Sequence, residues 1–151
     1  MSFTVTKVDI WSCKIEDKPG GLAKVLEALG NAGADVDCVI ARRDPGQSGS
    51  GDVFITPVKG TSVRKAAQSV SLSAAKNIGT LKIEGDDAPG LGGRLATAIA
   101  NAGINLRGVS AAVIGRKFVA YFGFDSPADA TKAARAVKSV ATSKRPSKPK
   151  R

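Results

Sequence analysis

The sequence predicts an α+β protein made of two copies of one small unit, each a mostly antiparallel sheet with its helices on one face. Three observations carry this reading. A shift of seventy positions without a gap lays Asp17 on Asp87, Pro19 on Pro89, Gly20 on Gly90, Ala28 on Ala98, Asn31 on Asn101, Ala32 on Ala102 and Gly33 on Gly103, a register that marks duplication. In each copy a stripe of apolar residues at helical spacing lies between a Pro-Gly corner and a single glycine. The chain of 151 residues holds one ordinary domain or two small ones, and the repeat selects two.

In the first copy, Val5 to Ile15 alternates in parity and reads as a strand, with Trp11 in the core or at an interface. Pro19 has its φ fixed near the helical value and needs no backbone donor, so it suits the first position of a helix. Leu22, Val25, Leu26 and Leu29 form that helix's buried stripe, and Gly33 stands where a helix ends in the left-handed conformation. Asp35 to Arg43 reads as the second strand. The segment Asp44 to Gly51 has no apolar anchor and reads as a flexible hairpin loop. Asp52 to Val58 returns as a strand; Pro57 cannot donate to a ladder, so the strand ends there or lies at an edge. Thr61 or Ser62 caps a helix whose apolar face is Val63, Ala66, Ala67 and Val70.

The second copy repeats this order. Ile78 to Ile83 is a strand, and the helix after Pro89 buries Leu91, Leu95, Ala98, Ile99 and Ala102. Gly103 ends it, Leu106 to Ile114 and Phe118 to Phe124 are strands, and Gly115-Arg116 is the compact turn between them. Ser126-Pro127-Ala128-Asp129 opens the last helix with a hydroxyl cap, a proline at the first position and an acid three residues after the cap. Its stripe is Ala130, Ala133, Ala134 and Val137. A β-α-β-β-α order completed by one more strand is a ferredoxin-like βαββαβ sandwich. The fourth strand has only Val70 to Ser73 in copy one and Val137 to Thr142 in copy two, so absence, a short strand and exchange between units all stay open. The expected domains are residues 1–76 and 77–143, followed by a basic tail, 144–151.

The formal net charge is +10, and the tail supplies five of those charges with no acid. A proline-broken basic run cannot fold by itself and reads as disordered. No apolar run approaches the ~18 residues that span a bilayer, and the N-terminus has no charged region followed by an apolar core. A cytoplasmic protein without membrane contact is expected. Cys13 and Cys38 fall on strands with another between them, about 9–10 Å apart, too far for a disulfide. With no histidine in the chain, two isolated cysteines make a poor metal site and read as small buried hydrophobes. No cofactor or metal is expected.

The same absence argues against an enzyme: there is no imidazole base and no partner for either cysteine. Gly90-Leu91-Gly92-Gly93 has neither dinucleotide nor phosphate-loop spacing. Amides at the helix starts, those of Gly20, Gly21 and Leu22 or of Gly90, Leu91 and Gly92, suit a carboxylate because a helix N-terminus carries partial positive charge. Asp17 or Asp35 would take an ammonium group. The plainer role of Asp17 and Asp87 is to complement the helix dipole.

Asp-x-Pro-Gly after a first strand, a helix, and Gly-apolar-Asn/Asp-apolar opening the second strand resemble the ACT domain, a small-molecule-sensing module of amino-acid metabolism. Both halves match. The resemblance implies a stand-alone tandem regulator that binds an amino acid where one domain's strand-helix turn meets its neighbour's helix-strand turn. The implied set is Asp17, Lys18, Pro19, Gly20, Gly21, Leu22 and Asp35 in copy one, and Asp87, Ala88, Gly90, Leu91 and Asn105 in copy two. Some members carry a histidine two residues before the first acid; Ile15 and Gly85 stand here. A homodimer is expected from the resemblance and from the smallness of each unit, and an enzyme or the transcription system would read its output. The rival is RNA binding on the same β-α-β-β-α-β order, with the basic surface and tail on phosphate and Lys117 to Phe124 as an aromatic platform.

Overall fold

The computed structural model describes residues 3–142, and the basic tail 144–151 lies outside them. The chain forms two compact units, one of residues 8–76 and one of residues 3–7 with 77–142. Each holds a four-stranded antiparallel sheet, as the predicted α+β, ferredoxin-like class requires.

The first strand is the main departure from the sequence reading. Val5 to Ile15 is not one strand but two, β1 (Phe3–Lys7) and β2 (Trp11–Glu16), and they belong to different sheets. In the first unit, β2 leads to α1 (Gly21–Asn31), β3 (Cys38–Arg43), β4 (Ser50–Thr56), α2 (Thr61–Ser69) and the two-residue β5 (Ser73–Ala74). The sheet order is β3-β4-β2-β5. Its fourth strand is therefore present but short, and begins at Ser73 rather than Val70. Trp11, Cys13 and Ile15 pack against a core of Val25, Leu29, Val53, Ile55, Val58, Val63, Ala67 and Leu72. β4 stops before Pro57, which follows a cis peptide bond, and α2 is capped by Gly60 with no side-chain bond, not by Thr61 or Ser62.

The second unit runs β6 (Gly79–Asp86), α3 (Leu91–Asn101), β7 (Gly108–Ile114), β8 (Lys117–Phe124) and α4 (Pro127–Thr142). Val137 to Thr142, the stretch open to a fourth strand, is the last turn and a half of α4, and Val137 and Val140 are buried in the core. The vacant place is filled from the N-terminus: β1 pairs antiparallel with β6, from Phe3 beside Gly85 to Lys7 beside Leu81, in the order β1-β6-β8-β7. Residues 1–76 are thus not one continuous unit, since Phe3–Lys7 builds the sheet of the other.

Alternation puts Leu81, Ile83, Phe118, Ala120, Phe122 and Phe124 on the helix side with Leu95, Ile99 and Ala133. Phe118, Phe122 and Phe124 are buried, so the aromatic run proposed as an RNA platform is the hydrophobic core, as strand aromatics usually are. Ser126 caps α4 as expected: its Oγ accepts from the Asp129 N–H at 3.1 Å.

Gly79 is needed where β6 meets α4. A Cβ there would stand 2.4 Å from the Ser126 carbonyl oxygen and 2.7 Å from the Ala130 Cβ. Gly79→Ala is expected to cost about 1–3 kcal/mol, seen as a lower urea midpoint at unchanged slope. Deleting residues 1–7 should leave β6 as a bare edge and speed amide exchange of Lys82 and Glu84, which face β1 because the Asp87 N–H, of the other parity, bonds on the β8 side; unchanged exchange there would deny β1 its structural role.

Candidate ligand-binding site

The two corners share one geometry. The Gly21 N–H donates to the Lys18 carbonyl at 3.1 Å and the Leu91 N–H to the Ala88 carbonyl at 3.2 Å. Gly20 (φ 88, ψ −9) and Gly90 (φ 79, ψ 1) occupy the third position of these turns. Those are type II turns, with proline second and a positive-φ glycine third. Pro19 and Pro89 are therefore turn residues ahead of the helix rather than its first residues, and Gly20 and Gly90 are the caps. The amides of Gly21 and Leu91, expected to be free for a ligand, are used by the turns themselves.

Each corner is tied to the hairpin tip of its own sheet. The Asp17 N–H donates to the Gly49 carbonyl at 3.0 Å, and the Asp87 N–H to the Arg116 carbonyl at 2.8 Å. The Asp17 carboxylate also meets the Arg43 Nε at 2.9 Å. The loop Asp44 to Gly49 is organised rather than featureless: the Asp44 carboxylate accepts from the Gly46 N–H at 2.8 Å, and Lys14 bridges Asp44 and Asp52. Hydrogen bonds from Lys14 and from the Gly46 amide hold the Asp44 carboxyl below its ordinary range.

The helices end alike. Gly33 N–H to Gly30 carbonyl at 3.0 Å with Ala34 N–H to Leu29 carbonyl at 3.0 Å, and Gly103 to Ala100 at 2.9 Å with Ile104 to Ile99 at 3.3 Å, are paired Schellman bonds. Asp35 and Asn105 come next, both exposed. An α-helix of 11 residues spans about 16 Å, so within each unit Asp17 and Asp35, or Asp87 and Asn105, stand at opposite ends of a helix. The structure does not bring either pair together.

One corner opens into a cleft. It holds about 300 Å³ and is lined by Lys14, Ile15, Glu16, Lys18, Gly20, Gly21, Lys24, Val25, Ser69, Val70 and Ser71. Of the predicted residues, Lys18, Gly20 and Gly21 line it; Asp17, Pro19 and Leu22 belong to the same turn and helix start but are not lining residues. A Cβ on Gly21 would lie 2.4 Å from the Glu16 carbonyl oxygen, so only glycine lets the helix begin this close to β2. Asp87, Ala88, Gly90 and Leu91 form the matching corner of the other unit, where Leu91 is instead buried in the core.

Three lysines face one acid around the cleft. Hydrogen bonding and attraction from Lys18, with a further pull from Lys24, keep the Glu16 carboxyl below its usual range. Sequence reasoning missed Lys24, one turn into α1, and the α2–β5 turn. Lys24 could have been found, since it lies four residues after Gly20 on the helix. Ser71 could not: it is a non-glycine at φ 63, ending α2 by the bonds Ser71 N–H to Gln68 and Leu72 N–H to Ala67 without the glycine that flags such an end.

Cys13 and Cys38 are unbridged and half-buried, and burial pushes the Cys13 thiol up. Among the described residues, no helix is long and apolar enough to cross a membrane.

No protein-family model matches the chain, and no curated protein matches it. Solved structures do. The chain is similar to the ligand-free regulatory subunit of aspartate kinase from Thermus thermophilus, at 22% identity and TM-score 0.62 over 91% of this chain and 95% of that one. It is also similar to a protein from Bacteroides thetaiotaomicron, at 14% identity and TM-score 0.72 over 92% and 90% of the two chains. A third is E. coli aspartokinase III in complex with lysine and aspartate, at 13% identity and TM-score 0.58, where 95% of this chain covers 33% of that one. The fold is therefore that of the ACT-type regulatory domains of aspartate kinases.

The Lys14–Asp44 pair predicts a pH dependence. The folded carboxyl is lowered, so its contribution is complete above the ordinary aspartate range and disappears as pH falls through the lowered value. The difference in Tm between the native chain and Asp44→Asn should shrink in that acid window and stay constant near neutrality.

Proposed function

We propose that this chain is a non-catalytic, cytoplasmic regulatory protein that binds an amino acid or similar small metabolite at its strand-helix corners. It acts as a homodimer whose state is read by a partner enzyme or by the transcription system. The observation that supports this most is the cleft of about 300 Å³ at the Lys18–Gly21 corner, at the small end of ligand pockets and suited to a metabolite of amino-acid size.

The cleft's chemistry favours a zwitterion entering carboxylate first. Lys18 and Lys24 flank the start of α1, where the helix end adds partial positive charge. Glu16, paired with Lys18, exchanges that lysine for the ligand's ammonium group and so frees Lys18 for the carboxylate, while Asp17, held by Arg43, braces the corner. Asp35 and Asn105, at the far helix ends, serve in this reading a ligand held at a neighbouring protomer's corner. Asp87, Ala88, Gly90 and Leu91 offer the second, less cationic corner. A ligand that binds one arrangement of modules more tightly than another shifts the population toward it, by no more than that difference in affinity.

Isothermal titration with each standard amino acid tests the reading. At least one is expected to bind, and at a free concentration of 100 Kd it should stabilise the chain by about 2.7 kcal/mol, with Lys24→Ala weakening the heat. No heat and no rise in Tm with any amino acid would overturn it.

A further inference from the structure

Lys132, Arg135 and Lys138 are all exposed on α4. Thr131, Arg135 and Lys138 follow one another at helical spacing and form a stripe about 10 Å long, with Lys132 beside it. Lys7, on the helix side of β1 with Phe3 and Val5, donates from its Nζ to the Thr131 Oγ1 and adds a fourth cation at the start of the stripe. Among the described residues none of the three α4 cations forms an ion pair. The last acid of the helix is Asp129, in its first turn. Residues 131–151 hold eight basic side chains and no acid, five of the eight in 144–151.

The helix dipole does not account for this run. It acts within the final turn, where α4 has no basic residue.

The chemistry of the face selects the polyanion it fits. No large apolar side chain of α4 is exposed, so nothing there inserts into a bilayer or supplies the desolvated anchor of a protein interface. Phe118, Phe122 and Phe124 are buried, which leaves no platform on β8 to stack unpaired bases. One straight stripe does not span the two successive minor grooves through which duplex RNA is read. Duplex DNA carries one charge per about 1.7 Å of its axis, so a stripe of this length meets several phosphates wherever it lands. α4 has no Asn or Gln to read adenine edges.

We propose that the outward face of α4, with Lys7 at its start and the basic residues of 144–151 beyond it, docks on the phosphate backbone of duplex DNA without reading sequence. This is a second binding activity, beyond the metabolite site, and it does not depend on any ligand in the cleft.

Fluorescence anisotropy of a labelled DNA duplex with the full chain tests this. If about six phosphates are neutralised, affinity should fall about a thousandfold between roughly 50 and 200 mM salt, and two unrelated sequences should bind alike. Lys132→Gln, Arg135→Gln and Lys138→Gln combined should weaken binding at least about tenfold and flatten the salt slope by about 2–3. Lys59→Gln, Arg64→Gln and Lys65→Gln combined, which remove the same charge from exposed positions of the other unit, should leave affinity and slope nearly unchanged. Should the triple change on α4 disturb the fold, Lys138→Gln alone should still lower the slope by about 1. A native chain that does not bind at the lowest salt, α4 variants that bind like the native chain, or a control that weakens as much would each overturn the docking. So would tighter binding of duplex RNA, single strands or anionic vesicles than of duplex DNA.

Discussion

The antiparallel ladder between β1 and β6 is the constraint on which the chain's organisation depends. α4 stays helical to Thr142 because Val137 and Val140 are buried in the core, so Val137–Thr142 does not serve as the fourth strand of its sheet. Without a fourth strand, β6 would present a row of unpaired backbone groups beside its own core. Phe3–Lys7 fills that position, and Phe3 and Val5 pack on the core beneath. A consequence is that the unit of residues 8–76 is inserted between the first strand of the other unit and the rest of it.

The corners show how one turn can be kept while its surroundings diverge. Both copies use proline then positive-φ glycine, and in both the acid before the proline donates its N–H to the hairpin tip. These are backbone solutions, and they survive because they do not depend on neighbouring side chains. The residue just after the turn is where the copies part. Gly21 allows close approach to the Glu16 carbonyl beside a lysine-lined cleft, whereas Leu91 at the same position is buried in the core. Duplication thus preserved the turn and left each unit free to make a cleft or a core from it.

Much of the candidate site was legible because it is local. Asp-Lys-Pro-Gly announces a turn, and Gly33 and Gly103 announce left-handed helix ends that the Schellman bonds bear out. Placing the prolines at the first helical position failed by two residues, because proline satisfies both a helix start and the second position of a type II turn, and φ alone does not distinguish them. Ser71 was missed for a different reason: it reaches the cleft only through the packing of α2 and α1 on one sheet, which no sequence window contains, whereas Lys24 lies one helical turn from Gly20 and was within reach of the helical spacing.

The amino-acid sequence by itself determined the repeat, the element types and the apolar faces, since periodicity and turn chemistry act over a few residues. Only the tertiary structure decided where Phe3–Lys7 and Val137–Thr142 belong. An alternating segment is compatible with either sheet, and an apolar helix end resembles a strand until a core claims it. Which edge is left unpaired is a property of the assembled sheet, not of any strand within it.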